Sequence, residues 1–274
     1  MRRSHRHEER WSGWWWIDAL CIIQDDDHPE KDIQIKFMPK IYGGAREVIA
    51  WIGAGDSITD KAMRYIGNQP STFIRAVAEG YADARLEGFE KTFRDVALCV
   101  RDIFNKSYWG RLWILQELTM AKNTTIICGE EELPWKTFID FATQVAAADF
   151  GPSRTLRQVQ DEVAAKQPVW LLTLIHKKRS RGLNLAELVF LSKHSVCGRD
   201  KKDYIRALLG MVQEGSGRDL DPENHRSACS ILSHATEVII RDMRHNSKIS
   251  PAIKQRCEKL TRLAHHTPLV DSPL

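Results

Sequence analysis

The sequence predicts an α/β fold, a small parallel sheet with flanking helices, followed by a mainly helical C-terminal region. Three observations carry this. Two short apolar runs, WWWI at 14–17 and EVIAWI at 47–52, have the length of buried strands, and a helical stripe lies between them. Beyond residue 136 the apolar spacing is mainly helical. Eight of the nine tryptophans lie at or before Trp135, leaving only Trp170 behind it, so the chain is divided in composition as well as in pattern.

Residues 1–13 read as a basic lead-in, and Asp18 abruptly ends the first run. Pro29 then opens a helix whose Ile33, Phe37 and Ile41 recur at i, i+4, with Met38 and Tyr42 beside them. Pro39 should kink this helix and Gly43-Gly44 should stop it. The second strand closes at Gly53 and Gly55, and strand, helix, strand in so short a space implies a βαβ unit. Ser57-Ile-Thr-Asp60 resembles a capping box for the next helix. Residues 90–105 and Tyr108–Ala121 read as helices, Thr124–Cys128 as a strand, Gly129-Glu130 as a turn and Pro134-Trp135 as a helix start. Helical patterns follow at Val169–Lys178, Leu185–Ser192, Tyr204–Val212 and Cys229–Met243. The expected domains are therefore 1–13 as lead-in, 14–136 as the α/β domain and 137–274 as a helical extension.

With 274 residues, 43% of them apolar and 28% charged, the chain can bury a sizeable core, which excludes wholesale disorder. The net charge of +4 is too mild to mark a nucleic-acid binder. Positive charge does concentrate at Lys166–Arg206, where ten Lys or Arg meet three acids, but the three aromatic residues within it, Trp170, Phe190 and Tyr204, are too widely spaced to interleave the basic ones. That stretch reads as the solvated faces of amphipathic helices, so no nucleic-acid partner is expected. The six cysteines form no C-x-x-C and read as reduced thiols of a cytosolic or nuclear protein, with a cytoplasmic location expected. The longest apolar stretch, WWWIDALCII, contains Asp18 and falls far short of the roughly 20 residues of a membrane span.

Asp18 sits where an apolar run ends, the place where open α/β sheets bind ligands. Cys21 and Gln24 follow on the same connection, and His28 is the base nearest to Cys21 in sequence, though no triad pattern surrounds it. The run Asp25-Asp26-Asp27 lacks the alternation of a calcium loop and reads as a loop and N-cap cluster. In YWGRLWILQELTMA, helical spacing would place Trp109, Trp113, Gln116, Glu117 and Met120 on one face, with Ile114, Leu115 and Leu118 making the other faces apolar. A carboxylate buried there must be paired, protonated or in a wet cleft, and Arg111 is one partner for it. The two readings are an internal Gln-Glu-Arg network and an acid or base facing a pocket. Gly53-Ala-Gly55 is no dinucleotide fingerprint, because Ile58 takes the third glycine position. The pairs His194 and Cys197, and His225, Cys229 and His234, lack a complementary second pair, so no metal is expected.

Taken together, WIDALCIIQDDDHPEKDIQIKFMPKIYGGAREVIAWIG resembles the central block of the fungal heterokaryon-incompatibility (HET) domain family. Trp16 to Ile22, Gln24, Asp25, Glu30, Gln34, Met38, Ile41, Tyr42, Ala45, Trp51 and Gly53 fit that block. YWGRLWILQELTMAKNTTIICGEEELPW resembles its W-x-x-R-x-W-x-x-Q-E block at Trp109, Arg111, Trp113, Gln116, Glu117, Ala121, Cys128, Gly129 and Trp135. KKDYIRALLG is a weaker third match, through Lys202-Asp203 and Ala207 to Gly210. Ile23 stands where the family has Asn and Lys31 where it has Arg, and the family's opening strand and helix are absent, so the chain is expected to begin inside the domain.

The resemblance implies a TIR-like or flavodoxin-like sheet, incomplete here, and a role in cell-death signalling during fungal non-self recognition. Protein partners of an incompatibility pathway, and self-association, are implied with it. It marks Asp18, Gln24, Arg111, Gln116 and Glu117 as the motif's polar centre. The alternatives are a TIR-like hydrolase of NAD using Glu117, with Asp18 and Cys21 as further candidates, and an inactive fragment of a HET gene. No cofactor is implied beyond NAD as a substrate, and the default is a protein that is not an enzyme.

Overall fold

The β-branched residues of VIAW and TTIIC form the parallel part of the sheet, β1 (Val48–Trp51) and β2 (Thr124–Cys128). The structure is a computed structural model describing residues 13–25, 28–68, 102–147, 157, 183–192, 202–212, 220 and 228–245. Strand β3 (Glu131–Pro134) turns back on β2 through Gly129-Glu130, giving the order β1-β2-β3. The three-stranded sheet is therefore mixed, with β3 antiparallel, whereas a parallel sheet was expected. EELP gave no strand signal because it is acidic and ends in proline, and β3 is an edge strand, where such residues are tolerated.

The chain divides into two compact units, Met1–Met38 and Pro39–Leu274. In the first, Trp14–Ile17 is not a strand, which corrects the sequence expectation. Trp14 is fully exposed, and the Ile17 carbonyl accepts from the amides of Leu20 and Cys21, closing a one-turn helix α1 (Asp18–Cys21). Apolar length alone cannot make a strand without a neighbour to pair with. Helix α2 (Pro29–Gly44) runs through Pro39 as one 16-residue element and ends at the expected Gly43-Gly44.

In the second unit, α3 (Ser57–Asn68) follows β1 and buries Thr59, Ala62, Met63 and Ile66. Its cap is Asp56, one residue before the expected Ser57. The Asp56 Oδ1 accepts from the amides of Ile58 and Thr59, while the Asp56 amide donates back to Thr59 Oγ1 at 2.8 Å. The expected single helix over 108–121 is two pieces, a 3-10 turn Ser107–Gly110 and α4 (Ile114–Met120). Arg111 is extended between them (φ −73°, ψ 138°), so Trp109 and Trp113 do not share a helix face.

Helix α5 (Trp135–Ala147) starts where expected. The rear helices are α6 (Leu185–Ser192), α7 (Asp203–Leu209) and α8 (Ala228–His245). Val169–Lys178, most of 90–105, His194, Cys197 and His225 lie outside the described residues. One apolar cluster runs from Ala50 in β1 to Met243 in α8, so the front sheet and the rear helices share a core. Among the described residues no helix is long and apolar enough to cross a membrane.

Candidate functional site

The second motif block is built around aromatic packing. Trp109 lies flat on Phe138 of α5, with centroids 5.3 Å apart and planes 8° from parallel, and its Nε1 donates to the Ile103 carbonyl at 2.8 Å. Trp135 stacks on the same phenylalanine at 6.0 Å. These motif tryptophans are core pillars. Trp51 differs, being 61% exposed.

The helix α4 buries Ile114, Leu115, Gln116, Glu117 and Leu118 together. Glu117 is only 7% exposed, and its Oε2 accepts from the Tyr108 hydroxyl at 3.1 Å. Burial first, and then the Glu117 charge, push the Tyr108 phenol well above its ordinary range, so at neutral pH it keeps its proton and donates. Tyr108 was not among the residues read from sequence. Apolar spacing gave no signal for it, because the break at Gly110-Arg111 is what lets position 108 reach 117. The exposed Arg111 places its guanidinium 6.0 Å from the Tyr108 ring centroid, beside the same pair.

Gln116 faces the rear helices. Its Nε2 donates to the Ala207 carbonyl of α7 at 3.4 Å, and its buried Oε1 has no hydrogen-bond partner among the described residues. Asp18, Cys21 and Gln24 form a group of their own in the first unit. Asp18 Oδ1 accepts from the Ala19 amide at 2.8 Å, the exposed Cys21 Sγ accepts from Ile17, and Gln24 Nε2 donates to the Asp18 and Ile22 carbonyls. Since Asp18 begins α1, it does not end a strand as the sequence suggested. His28 Nδ1 accepts from the Glu30 amide at the start of α2.

The sheet's own ligand position, the carboxyl ends of β1 and β2, is closed by glycines. Gly129 has a left-handed φ of +57° and donates its amide to the Gly53 carbonyl at 3.0 Å. A Cβ on Gly129 would lie 2.8 Å from both Gly55 Cα and Gly55 N, so the two backbones touch. Lys106 Nζ donates to the Ala54 carbonyl at 2.9 Å across this joint. At the N-terminus of α3 the anion position is taken by the chain's own Asp56 carboxylate, held below its ordinary pKa by the Thr59 amide and hydroxyl. Cys128, at the end of β2, has its thiol pKa raised by burial, which suppresses the thiolate. Among the described residues the arrangement forms a loop joint and offers no phosphate cradle. Among the described residues no group of three His, Cys, Asp or Glu could hold a metal ion.

Residues 1–117 match the family model described as Heterokaryon incompatibility protein (HET). Heterokaryon incompatibility protein 6, OR allele, of Neurospora crassa is 22% identical over 136 residues, covering 42% of this chain and 20% of that relative. The match thus spans about a fifth of the relative's length. No solved structure matches. The family match over residues 1–117 takes in the first motif block and the second as far as Glu117, and over those residues the chain is similar to the HET family.

Proposed function

We propose that this chain acts in fungal non-self recognition, promoting cell death through protein contacts, with Glu117 serving the fold rather than chemistry. The observation behind this is the placement of Glu117: 7% exposed, in the motif helix, with its carboxylate bonded to the buried Tyr108 hydroxyl. A catalytic carboxylate needs a route to substrate and a proton to exchange with it. Glu117 is instead held by a phenol that does not give up its proton near neutral pH. The similarity of residues 1–117 to the HET family and of part of the chain to an incompatibility protein supplies the biological setting.

On this reading residues 14–136 are the signalling α/β domain and 137–274 a helical extension. Gln116 and Glu117 hold α4 in place, Arg111 flanks them at the surface, and Asp18 and Gln24 close the loop of the first unit. The protein works in the cytoplasm, with incompatibility-pathway proteins or further copies of itself as partners. The test is inducible expression in a filamentous fungus, with vital-dye staining of hyphal compartments. The expected result is compartment death tracking the amount of folded protein. Full viability at high levels of folded protein would remove the proposal.

A further inference from the structure

The end of α7 meets α4 at an unusually specific joint. Gly210, just after α7, has an ordinary helical backbone (φ −63°, ψ −14°), so its conformation does not require glycine. Space does: a Cβ there would lie 2.3 Å from Gln116 Nε2 and 2.4 Å from Pro39 Cγ. The polar side of the same joint is imperfect. Among the described residues Gln116, 1% exposed, makes one long hydrogen bond of 3.4 Å to Ala207 O, and its Oε1 has no partner. A buried acceptor left unsatisfied is a standing cost that opening to water removes. Helix α7 also packs on α6 and α8, its Ile205 and Leu208 are buried, and the Asp203–Arg206 ion pair at 3.1 Å ties its first turn together.

We propose that the α4–α7 joint is an internal latch: α7 and the rear helices packed on it release from Gln116 as a unit while the β1-β2-β3 sheet stays folded. A tightly fitted rear helix thus meets the sheet layer across a contact whose buried amide is better satisfied when the contact opens. Opening uncovers the Gln116 amide together with the end of α7 at Ala207 and Gly210, which meets Gln116 in the closed form. The latch is a property of the fold and stands independently of the signalling reading.

Native-state hydrogen exchange on the purified full chain tests it, with Gly210→Ala and Gln116→Met as probes. In the unmodified protein, amides of α7 should exchange at least about tenfold faster than those of β2, because they open without global unfolding. Gly210→Ala wedges the joint and should speed α7 exchange by a further tenfold or so while changing β2 less than about twofold. Gln116→Met removes the orphan acceptor at nearly equal volume and should slow α7 exchange. A single common rate for α7 and β2 overturns the latch. So does slower α7 exchange in Gly210→Ala, the result that alanine's helix propensity alone would give. If Gly210→Ala does not fold, Gln116→Met decides, with unchanged or faster α7 exchange counting against the latch.

Discussion

Removing one oxygen from Tyr108 isolates the polar interaction at the centre of the motif. In Tyr108→Phe the ring remains, edge-on to Trp109 at 5.2 Å, and only the hydroxyl bonded to Glu117 Oε2 is lost. Both groups are buried, so water does not replace the donor readily. A hydrogen bond to an ionised acceptor contributes about 1.5–3 kcal/mol, which is the expected loss at pH 7. At about 2–4 °C per kcal/mol for chains of this order, the melting midpoint should fall by roughly 3–12 °C. In a Glu117→Gln background the hydroxyl meets a neutral amide, and the same deletion should cost only about 0.5–1.5 kcal/mol.

The pH dependence has a definite sign. Because folding raises the Tyr108 pKa, its contribution is complete below the unfolded value near 10 and is lost as pH rises beyond it. The gap between wild type and Tyr108→Phe should therefore narrow above about pH 10. Urea melts of the four proteins across pH 7 to 11 supply the assay. A Tyr108→Phe protein within about 0.5 kcal/mol of wild type at pH 7, with no coupling to Glu117, would refute the reasoning.

Three further expectations come from the same geometry. Gly129→Ala forces a Cβ against Gly55 at 2.8 Å in a left-handed backbone and should lose roughly 2–5 kcal/mol in a urea melt; a neutral result would mean the glycine joint does not exist in solution. Asp56 has a lowered pKa, so its capping of α3 holds above the unfolded carboxylate value and is lost as pH falls through the lower folded one. Asp56→Ala should therefore destabilise the protein at pH 7 and little at pH 2, and equal losses at both would exclude the cap. Peptide-resolved alkylation at pH 7.5 should modify the exposed Cys21 well before the buried Cys128, whose thiol is shifted upward, and the reverse order would contradict the described burial.

Much of the architecture was legible where a local pattern had a local cause. The turn at Gly129-Glu130, the stop at Gly43-Gly44 and the strands around 48–51 and 124–128 each follow from residue types acting on their own backbone. Trp109 and Trp135 were found as motif residues, and their stacking on Phe138 gives a packing reason for that pattern. What escaped depended on partners distant in sequence. Trp14–Ile17 has strand composition without strand pairing, and β3 gains its pairing from β2 rather than from EELP itself. The extended Arg111 could not be foreseen from apolar spacing, and with it Tyr108, the donor to Glu117, was hidden. Gly210 carried no turn signal because its role is to leave room for a side chain 94 positions earlier, Gln116.

On the proposed reading, Tyr108 and Glu117 also explain how one carboxylate can look catalytic in sequence and yet serve the fold. A glutamate in an aromatic, apolar helix is costly unless satisfied, and a perturbed buried acid is a reasonable marker of an active site. Here a neighbouring phenol supplies compensation, and at the ends of β1 and β2, where a ligand would be sought, the Gly55 and Gly129 backbones touch and Asp56 caps α3.

The most direct measurement of a structural Glu117 follows NAD content and viability together after induction of the chain and of Glu117→Gln in the same fungal host, at matched levels of folded protein. The account predicts that both proteins kill, and that NAD stays level until viability has already fallen. NAD falling before death with the wild-type chain, and neither effect with a Glu117→Gln protein that melts like wild type, would contradict it.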